Sequence, residues 1–328
     1  MIIETVGHAT VRAALALACR APSVHNSQPW RWGLGGSRVH LYADLHRWLP
    51  ATDPDGRDLL LSCGGALHHL RIALAALGIG VDVHRIPDPT QPDLLAVLDL
   101  SPASTGPTDL EPARAISTRR TDRRRFSSWP VPDDYLDQLA ERAAEQGALL
   151  RVISDPAARH TVEEAITAAA AVQALVPGYA AELAMWSGRH SSVDGVPAAS
   201  APPADERREG PTMRLYPGGE LAGPQQDPRD AAALLVLGTS SDDRLSQLRA
   251  GEAMSAILLY ATTLELGSSP LSQPLEIGST RAVLQQQVLG GTLSPQLVIR
   301  VGWPPATGPV PPLTPRRELA DTTMLLPA

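Results

Sequence analysis

The chain of 328 residues contains no lysine, so all 28 of its basic residues are arginine. A Schiff base to a side-chain amine is therefore impossible, which excludes ordinary pyridoxal-phosphate chemistry, and the lysine of a P-loop is missing as well. Any bound phosphate must be held by guanidinium groups, backbone N–H groups or hydroxyls. Arginine suits that task, because its planar fork can make two parallel bonds to phosphate oxygens. Cysteine is scarce: Cys19 and Cys63 stand alone, each in a stretch that reads as helix. Two thiols in so long a chain read as small apolar residues in a reducing compartment rather than as a disulfide. Positive charge is in deficit, with a net charge of −7, which argues against a nucleic-acid partner. No run reaches the ~20 uninterrupted apolar residues of a membrane span. Residues 1–11 hold Glu4 and neither Arg nor Lys, so the charged leader of a secretion signal is missing. The expectation is a cytoplasmic protein with no membrane partner.

What is present is a mixed pattern of helices and strands. Hydrophobic residues make up 43% of the chain, enough for a sizeable core. Apolar spacing predicts helices over residues 8–20, 57–77, 132–146 and 245–266, and a long one over 157–186 broken at Pro177-Gly178. Strands are expected at 30–34 and 38–42, around the turn Gly35-Gly36-Ser37, and at 94–100, 149–154, 232–237 and 296–301. Residues 101–115 read as a Pro/Ser/Thr-rich connector, and 303–315 as a Pro-rich tail. Residues 187–230, rich in Pro, Gly, Ser and charge, read as a lid, a binding loop or disorder. The windows 64–80 and 251–267 share Gly64/Gly251, Ala66/Ala253, Leu77/Leu264 and Gly80/Gly267, which favours an internal duplication.

Four segments carry chemistry. The loop Pro22-Ser23-Val24-His25-Asn26-Ser27-Gln28-Pro29-Trp30 offers hydroxyl and amide groups that can meet the edge of a flat heteroaromatic ring; its plainer reading is an Asx-type turn. The run Ser117 to Arg125 holds five arginines and three hydroxyls, which can cradle a phosphate or form a solvated basic face. The third is Thr314-Pro315-Arg316-Arg317, and the fourth Gly267-Ser268-Ser269-Pro270-Leu271-Ser272-Gln273, read as a polar loop after a helix. Other templates fail. Gly78-Ile79-Gly80 lacks the third glycine and the strand-before-helix setting of a dinucleotide site, and no G-x-S-x-G elbow exists. His68 and His69 are adjacent, so a helix turns them in different directions rather than toward one zinc ion.

Together these segments resemble the nitroreductase superfamily. Its FMN sites use an RRS-x-R motif, a PS-x-x-N-x-QPW loop, a P-x-E-G-like loop and a C-terminal basic pair. Arg119-Arg120-Thr121-Asp122-Arg123 resembles the first, with Thr for Ser. Pro22 to Trp30 fits the second. Pro270-Leu271-Ser272-Gln273 stands at the third with neither Glu nor Gly, and Arg316-Arg317 at the fourth. The family order, Arg motif before QPW, is inverted here, which is similar to the Acg-like branch: a dimer made covalent, with one complete site. The resemblance implies an α+β nitroreductase-like fold with antiparallel or mixed sheets flanked by helices. It implies a first half (1–105) supplying the QPW loop, and a second (106–328) supplying the Arg motif, a lid at about 187–230 and the basic pair. It implies one FMN, with Arg119, Arg123 and Arg316 near its phosphate and ribityl chain. Arg120, Thr121 and Arg317 complete the two basic motifs. Ser23, Asn26 and Gln28 would line the ring, with the Pro270–Gln273 backbone near N5. The flavin then carries the chemistry, with no catalytic side chain, between NAD(P)H and a small-molecule electron acceptor. A monomer suffices, because the dimer is internal. The alternative is a protein that stores or sequesters FMN under its lid.

Overall fold

A computed structural model describes residues 7–203, 213–222 and 230–326. The chain is α+β, with two sheets separated by a central pair of helices. The first sheet has the order β3-β4-β2-β1-β9, built from β1 (Trp30–Gly35), β2 (Arg38–Ala43), β3 (Ile79–Arg85), β4 (Leu94–Pro102) and β9 (Thr323–Leu325). The second has the order β5-β6-β8-β7, from β5 (Leu149–Val152), β6 (Ala233–Thr239), β7 (Gly267–Leu271) and β8 (Ser294–Gly302). β1 and β2 form the hairpin the alternating sequence predicts, and Gly36 supplies the positive φ of 56° that its tight turn needs. All pairings are antiparallel except β1 with β9, where Trp32 lies opposite Thr323, so the chain's last described strand returns to the first sheet.

The helices are α1 (His8–Ala18), α2 (Arg57–Ala76), α3 (Pro107–Thr118), α4 (Asp133–Ala144), α5 (Pro156–Gln173), α6 (Tyr179–Met185), α7 (Arg244–Thr263), α8 (Gln273–Glu276), α9 (Gly278–Val283) and α10 (Leu319–Thr322). α1 and α2 bury Leu15, Leu67, Leu70 and Leu74 against Trp30, Trp32, Leu41 and Leu98 of the first sheet. The second sheet is covered on both faces. Leu139, Ile257 and Leu258 from α4 and α7 meet Leu235, Leu237 and Ile299, while Val162 and Ile166 of α5 meet Leu234, Val236 and Val298. That two-sided burial explains why β6 and β8 are nearly continuous apolar runs instead of alternating ones.

α2 and α7 cross where the two matched sequence windows coincide. A Cβ on Gly64 would lie 2.0 Å from the carbonyl oxygen of Leu248, and one on Gly251 would lie 2.1 Å from that of Leu61. The contact is reciprocal, since each glycine meets the carbonyl three residues before the other. Four residues further on in each helix, His68 Nδ1 and Ser255 Oγ meet at 2.8 Å. α2 is long and apolar enough to cross a membrane, but 78% of its apolar window is buried inside the protein, as a core helix requires.

Two expectations need correction. The connector 101–115 is largely ordered: β4 extends to Pro102 and α3 starts at Pro107. Pro112 lies inside that helix, beyond the first four N–H groups, so one helical hydrogen bond is missing there. The segment 267–271, expected as a loop, is the edge strand β7, a place where Pro270 is tolerated. The break expected near Pro177-Gly178 separates α5 from α6, with Gly178 at φ 84°. Of the 187–230 region, residues 204–212 and 223–229 lie outside the described residues.

Candidate functional site

α3 delivers the arginine motif. Its last turn ends with Arg119 N donating to Ala115 O at 2.8 Å, and the chain then runs beside β7. Thr121 bridges Ser268 in parallel, and Asp122 N donates to Ser268 O at 2.9 Å. This pairing fixes the direction of each arginine. Arg124 turns inward and is neutralised by Asp122, Nη2 to Oδ2 at 2.6 Å, both side chains buried. Arg119 and Arg123 face a cleft instead, which leaves them outside that carboxylate's reach.

The cleft is partly open to solvent. It gathers the separated sequence segments: Ser23 and Asn26 from the first loop, Arg119, Thr121 and Arg123 from the Arg motif, Pro270 and Ser272 from the end of β7, and Arg316 from the tail. Val196, Pro197 and Tyr216 of the 187–230 region complete it. The other proposed positions do not line it. Gln28 is fully buried beneath the loop, where its Nε2 donates to Val193 O at 2.8 Å and its Oε1 accepts from Arg317 N at 2.9 Å. Arg317 reaches away toward Asp44 at 3.6 Å, and Arg120 folds back on Thr118 O at 3.0 Å. Leu271 and Gln273 line a small neighbouring hollow with Arg214 and Tyr216.

The first loop is held in an unusual backbone. His25, Asn26 and Gln28 have φ values of 47°, 55° and 52°, each costing about 1–2 kcal/mol without a glycine. Hydrogen bonds offset that cost. Ser23 Oγ accepts from Gln28 N at 2.9 Å, and Asn26 Nδ2 donates to Gly195 O at 3.1 Å and Pro315 O at 3.2 Å. Gln28 and Arg317 therefore brace the loop that presents Ser23 and Asn26. Strain of this kind held in place by surrounding bonds is common at ligand clamps.

The electrostatics are one-sided. Arg119 is buried, and its Nε and Nη1 have no hydrogen-bond partner among the described residues. Burial, with Arg20 and Arg123 nearby, pushes its guanidinium down to about 10. Burial pushes Arg316 down to about 9, with Arg119 and Arg20 adding to the effect; its Nη2 donates to Arg20 O at 2.9 Å, and its Nε is buried without a partner. Arg123 lies over the Tyr216 ring at 4.8 Å and donates to Ser200 O at 3.1 Å. Unpaired buried cations of this sort are costly unless an anion completes them. Asn26 Oδ1 is a buried acceptor with no donor among the described residues, and His25, pushed well below its usual range by burial, Arg214 and Arg123, has an Nδ1 equally without a partner there. The cleft thus suits a ligand with an anionic group at one end and an N–H donor elsewhere.

Arg214, Glu276, Tyr179 and Tyr216, which no sequence motif singled out, are all buried here. Arg214 is ion-paired with Glu276 and donates to Tyr179 Oη at 3.0 Å, while His25 meets Tyr216 edge-on at 5.6 Å. Glu276 also accepts from Ser272 Oγ at 2.7 Å and from Gln173 Nε2. A signal existed: position 272 lacks the glutamate of the P-x-E-G pattern, and a glutamate follows four residues later, one helical turn on.

A model of the nitroreductase family matches residues 116–303 of this chain. The chain belongs to the nitroreductase family. Its relatives include the Mycobacterium tuberculosis protein called "Putative NAD(P)H nitroreductase Rv3131", 45% identical over 315 residues that cover 95% of this chain and 90% of the relative. A second from the same organism, "Putative NAD(P)H nitroreductase acg", is 37% identical over 316 residues, covering 95% of this chain and 94% of the relative. Among solved structures, the FMN-dependent nitroreductase NfnB from Mycobacterium smegmatis in complex with NADPH aligns with a TM-score of 0.43 at 17% identity, covering 66% of this chain and 98% of that one.

Proposed function

We propose that the cleft binds one FMN and that this nitroreductase-family chain passes electrons from NAD(P)H to a small acceptor such as a nitroaromatic or quinone. One observation carries the reading: Arg119 and Arg316, which line the cleft, have buried donors without a partner among the described residues, and Asn26 of the same lining has a buried acceptor, Oδ1, without one. FMN has the matching chemistry, a phosphate at one end and a ring N–H at the other. Arg119, Arg123 and Arg316 would hold the phosphate end, and Ser23, Asn26 and the chain from Pro270 to Ser272 the ring. When bound, FMN supplies two-electron transfer between donor and acceptor. The protein's own tasks are to hold the ring and to keep positive charge where the reduced ring gains negative charge.

The cleft lies at the seam between the ranges 1–105 and 106–328, and the reciprocal Gly64/Gly251 crossing supports our reading of those ranges as duplicated halves acting as an internal dimer. A second reading has a specific observation in its favour. Tyr216 closes one side of the cleft, and Arg214, two residues away, is tied to the buried Glu276. A lid locked in this way would make the protein a flavin store with little turnover. Anaerobic addition of NADPH or NADH to the reconstituted yellow protein separates the two. Rapid bleaching supports the reductase; bleaching by dithionite alone overturns it.

A further inference from the structure

Beneath the ring side of the cleft lies a chain of polar groups that cofactor binding leaves unused. Asp58, in the first turn of α2, is buried, and its carboxyl rests against Glu276 and Ser272. Glu276 is richly supplied with donors: Ser272 Oγ at 2.7 Å, Arg214 and Gln173. Asp58 is the opposite case, since its Oδ2 is buried and receives no hydrogen bond. Two carboxyls in contact share a proton more readily than they share a negative charge. The bare oxygen therefore identifies Asp58 as the member that keeps a proton and donates it to Glu276. The remaining charged and titratable groups facing this cluster are Asp53 from the turn before α2, Arg214, Tyr179 and His25. Arg214 is ion-paired with Glu276. Burial, together with Glu276, pushes Asp53 up to about 6 despite its bond from Leu59 N at 2.9 Å, and pushes Asp58 well above the usual carboxylate range.

Ser272 belongs both to this cluster and to the cleft wall. We propose that Asp58, Glu276 and Ser272 form a proton relay that ends in the cleft and delivers the proton a two-electron acceptor must take up. The proposal rests on the reductase reading above. A quinone that takes up a hydride equivalent would need one further proton on oxygen. Ser272 Oγ gives its hydroxyl proton to that oxygen and takes one from Glu276, which takes the proton of Asp58. One Asp58 O–H bond breaks, one acceptor O–H bond forms, and solvent returns a proton to Asp58 between turnovers. Ser272 is then a catalytic residue, with Glu276 and Asp58 acting through it.

Two measurements test the relay. Infrared spectra of the flavin-free protein at pH 7 should show a protonated carboxylic acid whose carbonyl band is lost in Asp58→Asn. Absence of that band in the unaltered protein, or its survival in Asp58→Asn, overturns the proposal. In stopped-flow experiments on the FMN-loaded protein, Ser272→Ala should slow quinone reduction about 100-fold more than it slows reduction by NAD(P)H, at the lower end of what a positioned general acid supplies. Equal effects on the two half-reactions overturn the relay. A chain that takes up no FMN refutes the reductase reading instead, and the infrared experiment, which needs no flavin, still decides where the proton sits.

Discussion

Replacing Arg119 by methionine should have opposite effects on the empty and the loaded protein. The empty cleft holds Arg119 as a buried cation with two unpartnered nitrogens. Its guanidinium is pushed down to about 10, chiefly through burial. At 1.36 kcal/mol per pH unit, that fall makes the charged form about 3 kcal/mol less stable in the fold than in the unfolded chain. The cost is present at every pH below about 10, so it is fully present at neutrality. Methionine fills much of the same volume with no charge to desolvate. The flavin-free variant should gain roughly 1–3 kcal/mol after allowing for imperfect packing, which for a chain of this size raises the melting temperature by about 1.5–4.5 °C. The stabilisation conferred by saturating FMN should fall by a similar amount, because the phosphate loses its charge-assisted bonds to this side chain. Differential scanning fluorimetry with and without FMN reads both effects. A variant that melts lower when empty yet keeps the full FMN-induced shift would make Arg119 a structural residue and move the phosphate elsewhere.

Other consequences follow from the same geometry. Gly251→Ala drives a methyl into the Leu61 carbonyl at 2.1 Å and should cost about 1–3 kcal/mol, read as a lower urea midpoint; an unchanged midpoint would refute the close helix crossing. Burial and Arg71 hold His68 down to about 3, so its neutral form stabilises the fold fully above 6.5. That contribution, about 5 kcal/mol, is lost as the pH falls from 6.5 toward 3, because the unfolded chain binds the proton first. His68→Gln should flatten stability against pH in that window, and an identical pH slope would contradict the assignment. Arg214→Met frees the segment around Tyr216 from Glu276 and should speed FMN release in stopped-flow fluorescence by tenfold or more. An unchanged release rate would show that this ion pair is no latch.

The parts legible in the sequence were those whose chemistry depends on residue type at short range. Pro22 to Trp30 announced a polar loop because proline ends α1 and amides follow it, and the arginines at 119 and 123 stood out in an acidic chain without lysine. The two-residue hairpin at Gly36 and the apolar runs of β6 and β8 were legible for the same reason. The rest depended on contacts distant in sequence. β9 is three residues long and exists because β1 leaves an edge open beside it. β7 looks like a loop until β8 supplies its ladder. That Arg124 serves Asp122 while Arg119 serves the cleft is decided by the Thr121–Ser268 bridge, across 147 positions of sequence. Gln28 and Arg317 matched the expected pattern, yet they brace the loop because its positive-φ backbone needs their hydrogen bonds more than the cleft does. Arg214 and Tyr216 gave no pattern to recognise, since each becomes informative once its burial is known.

The guanidinium cluster is proposed to recognise a flavin through its phosphate. Titrating the flavin-free protein with FMN and with riboflavin, which has the same ring and no phosphate, tests it directly. Hydrogen bonds from charged groups contribute about 1.5–3 kcal/mol each, so two of them predict that FMN binds at least about 100-fold more tightly. Equal affinity for the two, or binding of neither, would contradict the claim.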